Sequence, residues 1–164
     1  MRKSAHWRPN IQHFVRSSDS QFGQACHLKG HADVIKIKRA YEPADRKDGY
    51  RILIDRLWPR GIRRVDLPLD EWAKGLAPSP ELRKFFAHDP LRWREFRSRY
   101  RMELRKKSAR ERIVELVRLA EHLTITLVYG ARDEEHNNAV VVREIVEREV
   151  EKSVEMRLSH KKAL

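Results

Sequence analysis

The chain has 164 residues, of which 37% are charged, and Lys and Arg outnumber Asp and Glu by 36 to 24 for a net charge of +12. This length suits one compact domain with an extension, and the positive balance favours phosphates, nucleic acid or acidic surfaces as partners. A lone cysteine, Cys26, excludes an internal disulfide and suits a reducing compartment. No apolar run is long enough to span a membrane, and no apolar core follows the basic start as a signal peptide requires. We therefore expect a cytoplasmic protein without membrane contact.

Residues 1–33 have neither helical nor strand periodicity and are predicted to be a mobile N-terminal extension. They contain His6, His13, His27 and His31 beside Cys26. A metal site is the alternative to a plain polar segment, but no pair of these residues has zinc-finger spacing. We predict no metal and no other cofactor.

Four segments have the pattern of strands. Residues 34–41 alternate in polarity, residues 51–57 are apolar on both faces, and residues 123–129 form a continuous β-branched run. Residues 65–72 alternate weakly, and Pro68 places this short strand at a sheet edge. The run over residues 51–57 predicts a central strand of a covered sheet.

Helices are predicted between and after these strands. Ser79-Pro80-Glu81 has the pattern of a helix start, and Ser108 with Glu111 fits a capping box. One amphipathic stripe consists of Trp93, Phe96, Tyr100 and Leu104. A last helix is predicted from about residue 136 to beyond residue 150.

Strands that alternate with helices predict an α/β fold. We expect a small three-layer sandwich with a mostly parallel sheet of about four strands covered by helices. The single α/β domain is placed at residues 34–152, and residues 153–164 are expected to be a polar, basic tail.

Several short motifs together resemble the YeaO-like branch of the domain-of-unknown-function 488 family, over residues 34–147. The residues that carry the resemblance are Arg39 and Tyr41, Asp48-Gly49, Asp55-Arg56-Leu57-Trp58-Pro59-Arg60-Gly61, Asp70-Glu71-Trp72, Ala77-Pro78-Ser79 and Asn137-Asn138-Ala139. The resemblance implies an α/β fold and brings no established activity. Other branches of that family carry Cys and Glu after the last strand and Cys-His-Arg at the next helix start. Here those places hold Tyr129, Ala131 and Asn137-Asn138-Ala139, so the resemblance does not imply thiol or metal chemistry for this chain.

Polar residues concentrate where the predicted parallel strands end, which is where open α/β sheets bind ligands. The following helix start would add free backbone N–H groups and partial positive charge. We predict that this edge binds a small anionic ligand, with phosphorylated compounds among the candidates. The candidate ligand-binding residues are Arg39, Tyr41, Arg56, Arg60, Tyr129, Asn137 and Asn138.

The role of Asp55 is open at this stage. It could orient an arginine or act as a general base, in which case metal-free hydrolysis or transfer at the anion would be the expected reaction. Alternatively, Asp55 could form a structural ion pair with Arg39 or Arg51. Asn137 and Asn138 could likewise serve only as a helix start. The sequence does not decide whether the protein is an enzyme, and it does not predict the oligomeric state.

A basic stretch over residues 92–112 supports an alternative function. It holds ten Arg or Lys residues against three Glu, and it could follow a nucleic-acid backbone without reading the sequence. The alternative is a solvated helix face, which is the usual role of charge runs. The candidate residues for nucleic-acid contact are Arg94, Arg97, Arg101 and Arg105.

Overall fold

The computed structural model describes residues 34–162. The predicted N-terminal extension, with its four histidines and Cys26, lies outside the described residues. The strands are β1 (Ile35–Arg39), β2 (Tyr50–Leu53), β3 (Glu71–Trp72) and β4 (Ile125–Tyr129). The α-helices are α1 (Pro80–Phe86), α2 (Trp93–Glu103), α3 (Lys107–Ala120) and α4 (Asn138–Lys162). Short 3-10 turns cover Arg46–Asp48, Lys74–Leu76 and Pro90–Arg92.

The four strands form one parallel sheet in the order β1-β4-β2-β3. Leu127 on β4 is paired with Ile37 on one side and with Ile52 on the other. This arrangement confirms the expected small α/β fold with a parallel sheet of four strands. It also places the last strand of the chain in the middle of the sheet, so that the loop after β4 lies beside the loop after β2.

The two faces of the sheet are covered differently. On one face, side chains such as Ile52 and Leu127 are fully buried in a core to which all four α-helices contribute. The opposite face carries a smaller apolar cluster around Leu53 and Val128. The irregular segment 56–70 covers this second face, because a chain that joins the neighbouring parallel strands β2 and β3 must cross the sheet.

Some boundaries differ from the sequence-based expectation. The third strand occupies only Glu71–Trp72, at the predicted edge position, because the preceding residues form a turn and Pro68 has no N–H for a ladder. Helix α3 begins at Lys107, one residue before Ser108, so the expected capping box is not formed. The predicted cap at Ser79 is confirmed, since its hydroxyl accepts a hydrogen bond from the N–H of Leu82 at 3.1 Å. Helix α4 continues to Lys162.

A glycine fixes the start of β2. Gly49 has φ +64°, and a Cβ there would lie 2.1 Å from the carbonyl oxygen of Thr124. The next residue, Tyr50, donates its N–H to the same oxygen at 2.8 Å. Only glycine combines this backbone conformation with such a close approach. Gly49 therefore allows the start of β2 to lie directly against Thr124, the residue before β4.

Candidate functional site

Asp55 joins the two loops at the carboxyl edge of the sheet. It follows the buried end of β2, and its Oδ2 accepts a hydrogen bond from the backbone N–H of Gly130 at 2.8 Å. Its Oδ1 accepts a second bond from the Asn138 side-chain amide at 3.0 Å. The same amide lies 3.2 Å from the carbonyl oxygen of Ile54, to which it also donates. The residues after β2 and the start of α4, which the sequence analysis places at one edge, are therefore in direct contact.

The environment of Asp55 raises the pKa of its carboxyl group. Burial is the largest cause, and the hydrogen bonds from Asn138 and Gly130 oppose it by favouring the charged form. Electrostatic interactions with Arg83 and His88 act in the same opposing direction, lowering the pKa of Asp55. Asp55 forms no ion pair with Arg39 or Arg51 in the described structure. Its structural role is instead to accept hydrogen bonds from the Gly130 backbone amide and the Asn138 side-chain amide.

Arg83 and His88 act electrostatically on Asp55 and are not among the residues predicted for the site. Arg83 lies on α1, and His88 follows that helix with φ +58°, immediately after Ala87 with φ +46°. The only sequence signal was that His88 lies near the end of a helix. Its electrostatic effect on Asp55 depends on the tertiary placement of α1, which no local pattern describes.

Gly130 is required by the close approach of two chain segments. A Cβ at this position would lie 3.0 Å from Oδ2 of Asp55 and 3.9 Å from Cβ of Pro59. Contacts of 3.0 Å are tighter than almost all real Cβ contacts. The missing side chain thus lets the Gly130 N–H reach the buried carboxylate.

Arg39, Tyr41 and Arg60 form a second group beside the same loop. The Nε of Arg39 donates to the carbonyl oxygen of Ala131 at 3.0 Å, and its guanidinium lies 5.4 Å from the centre of the Tyr41 ring. The Tyr41 hydroxyl donates to the carbonyl oxygen of Arg60 at 3.1 Å. The side chain of Arg56 is exposed and forms no hydrogen bond or ion pair within the described part of the chain.

Two other candidate ligand-binding residues, Asn137 and Tyr129, are buried inside the domain. Asn137 is buried, and its Oδ1 accepts from the N–H of Val140 while its Nδ2 donates to the carbonyl oxygens of Asp133 and Glu134. This is the helix-start role that the sequence analysis left open as an alternative. Tyr129 is 3% exposed, and burial raises the pKa of its hydroxyl. Neither side chain extends the exposed edge.

The cations of the sheet differ in how they are paired. Lys38 on β1 pairs with Asp48 at 3.1 Å, and the buried Arg51 at the start of β2 pairs with the same carboxylate. At the carboxyl edge, the guanidinium groups of Arg39, Arg56 and Arg60 have no carboxylate partner among residues 34–162. The carboxylates of Glu42, Asp133 and Glu134 act electrostatically on Tyr129 at the same edge, so what distinguishes the three cations is that they form no direct ion pair.

Only two of the four candidate residues for nucleic-acid contact are without an ion-pair partner in the described structure. Arg97 makes a bidentate pair with Glu144 on α4, at 2.7 and 3.1 Å, and Arg101 contacts the same carboxylate at 2.7 Å. Arg94 and Arg105 are exposed and have no carboxylate partner in the described structure. Half of this set thus serves to hold α2 against α4.

Within residues 34–162, no group of three or more His, Cys, Asp or Glu side chains is arranged to hold a metal ion. None of the helices in this part of the chain is both long and apolar enough to cross a membrane.

A family model described as the inactive DUF488-N3 subclade matches residues 34–162, the whole described domain. The chain belongs to this family. The uncharacterized protein YeaO of Escherichia coli K12 is 44% identical over 108 residues, which cover 66% of this chain and 92% of that protein. The uncharacterized proteins Rv3073c of Mycobacterium tuberculosis and Mb3100c of Mycobacterium bovis are each 38% identical over 112 residues, covering 68% of this chain and 92% of theirs. No solved structure gives a significant match.

Membership of the DUF488-N3 subclade confirms the resemblance inferred from the sequence motifs. Of the two amides in the motif Asn137-Asn138-Ala139, one starts α4 and the other donates a hydrogen bond to Asp55.

Proposed function

We propose that the protein binds a small anionic ligand, such as a phosphorylated metabolite, at the carboxyl edge of its sheet, and that it does so in the cytoplasm without catalysing a reaction. The observation that carries this proposal is that the guanidinium groups of Arg39, Arg56 and Arg60 have no carboxylate partner in the described domain. Elsewhere on the same sheet, Lys38 and Arg51 are both paired with Asp48. Cations that a fold leaves unpaired beside one loop are available to an external anion.

Arg39 is the best-positioned anion contact. Its Nε bond to Ala131 and its packing over Tyr41 hold the guanidinium in place, while its two terminal nitrogens have no acceptor in the described structure. A planar guanidinium with free terminal N–H groups suits bidentate binding of phosphate or carboxylate. Since the side chain is already held, ligand binding costs less conformational entropy.

Asp55 serves in this proposal as a structural anchor and not as a catalytic base. Both of its oxygens already accept hydrogen bonds, from Gly130 and Asn138, and these bonds tie β2 to the start of α4. The family description names the subclade as inactive, which favours binding over catalysis. The anchor keeps the two loops of the edge at a constant separation, as a preformed site requires.

Thermal unfolding with added anions tests the proposal. Wild type would be heated with inorganic phosphate, pyrophosphate or citrate, each matched in ionic strength by sodium chloride. A ligand at ten times its Kd stabilises a protein by about 1.4 kcal/mol, which raises the Tm of a domain of this size by roughly 5 °C. We expect a shift of this order with at least one of the three anions.

The matched variants are Arg56→Gln/Arg60→Gln and Arg46→Gln/Arg148→Gln. All four side chains are exposed and form no side-chain bonds within the described residues, so both variants lose two charges without losing internal contacts. We expect the first variant to lose most of the anion-induced shift and the second to keep it. The proposal would be refuted if no anion exceeds the sodium chloride control, or if the two variants respond alike.

A further inference from the structure

Helix α3 and the two residues before it carry a second group of unpaired cations, apart from those at the carboxyl edge. These residues are exposed and have no carboxylate partner among residues 34–162. We call them the α3 patch, which consists of Arg105, Lys106, Lys107, Arg110 and Arg118. No acidic residue occupies the first turn of α3.

The carboxylates near the patch are mostly used elsewhere. Glu103 accepts the backbone N–H of Ser79 at 2.9 Å, and Glu115 pairs with Arg112 at 2.6 Å. Glu111 is the acidic side chain in this region that keeps no partner in the described structure. The patch therefore retains a net positive charge after the internal ion pairs are formed.

The patch is extended, which distinguishes polymeric from small anions. Between Lys107 and Arg118 the helix rises about 16 Å at 1.5 Å per residue. Four of the five cations line an open surface groove of about 530 Å³ along this helix, together with Glu111, Val114 and Glu115. Cations spread over this length cannot converge on one phosphate. They can follow a duplex, which carries one negative charge per about 1.7 Å of its axis.

We propose that the α3 patch binds the phosphate backbone of a nucleic-acid duplex without reading its sequence. This surface keeps only the end of the basic stretch suggested by the sequence and extends it to Arg118, because Arg97 and Arg101 are occupied by Glu144. It is also separate in composition from the carboxyl edge of the sheet. The partner is a duplex because the charge complementarity is linear and no exposed aromatic platform for unpaired bases belongs to the patch.

Fluorescence anisotropy with the full chain and two labelled 24-base-pair DNA duplexes of unrelated sequence tests this proposal. Affinity should be equal for the two duplexes and should fall with salt at a slope of about −0.9 per phosphate contacted. The variant Arg105→Gln/Lys107→Gln/Arg110→Gln should reduce the steepness of that slope by about 2 to 3 and lower affinity at least tenfold at low salt. Far-ultraviolet circular dichroism would establish that the variant is folded.

A second triple variant controls for overall charge. Arg46→Gln/Lys84→Gln/Arg148→Gln removes the same three charges from exposed, unpaired positions on other elements. This control should change the salt slope by less than 1. The proposal is overturned if wild type does not bind either duplex at 50 mM salt, or if both triple variants weaken binding equally. Binding to phosphatidylglycerol vesicles but not to DNA would also overturn it.

Discussion

Replacing Asn138 with alanine should destabilise the domain by several kcal/mol. The amide is 9% exposed and donates to both the Asp55 carboxylate and the Ile54 carbonyl. A hydrogen bond to a charged group contributes about 1.5–3 kcal/mol and one between neutral groups about 0.5–1.5 kcal/mol. We therefore expect Asn138→Ala to cost about 2–4 kcal/mol, a large share of the roughly 5–15 kcal/mol that stabilises a typical domain.

Urea unfolding at pH 7, followed by tryptophan fluorescence, would measure this loss. Asp55→Ala and the double variant complete a double-mutant cycle, for which we expect a coupling free energy of about 1.5–3 kcal/mol. Asn137→Ala is the matched control, because it removes a buried amide that caps α4 and does not contact Asp55. Loss of a cap costs about 1 kcal/mol, and the coupling of this control with Asp55 should be near zero.

The pH dependence provides a second check on the same pair. Because burial raises the folded-state pKa of Asp55, its contribution to stability is greatest below the unfolded-state pKa and decreases as pH rises through the folded-state pKa. Asn138→Ala removes a bond that favours the charged form, so this decrease should extend to higher pH. The reasoning would be wrong if Asn138→Ala cost less than about 1 kcal/mol, or if its effect added to that of Asp55→Ala without coupling.

Two further predictions concern stability. Gly130→Ala should cost about 1–3 kcal/mol in urea unfolding, since its methyl group would press on the Asp55 carboxylate, whereas Gly75→Ala, with open space around its Cβ, should cost less than about 1 kcal/mol. An equal cost for the two would contradict the close-contact explanation. Burial acts to raise the pKa of Asp48, but the backbone N–H of Asp45 and the neighbouring cations lower it overall. Its stabilisation is therefore present above the unfolded-state pKa and is lost as pH falls through the folded-state pKa. Asp48→Asn should cost about 3–5 kcal/mol at pH 7 and flatten the acid limb of the stability curve, and an unchanged acid limb would contradict this assignment.

Local patterns predicted the elements whose burial follows from their own sequence. The run after Tyr50 is apolar on both faces, and β2 is buried throughout because it has neighbours on both sides of a parallel sheet. The stripe of Phe96 and Tyr100 marks the buried face of α2, and Ser79 caps α1. In each case the sequence pattern that predicts the element lies within the element itself or directly beside it.

The covering of the second sheet face could not be predicted in the same way. Residues 56–70 have weak periodicity, and Leu67 is buried there, with Ile62 and Leu69 partly buried, because the chain between the adjacent parallel strands β2 and β3 crosses this face. The covering of this face follows from strand order, which is a property of the whole fold.

For the site, the sequence by itself determined that Asp55, three arginines and an amide pair stand where parallel strands and the next helix meet. Only the tertiary structure decided their partners. Asp55 bonds to Asn138, 83 residues away, instead of to an arginine, and Arg97 pairs with Glu144 instead of remaining free. Hydrogen bonds and ion pairs are decided by distances of a few ångströms between segments that are remote in sequence. Residue periodicity determines which face of an element is buried, whereas packing determines which polar group meets which.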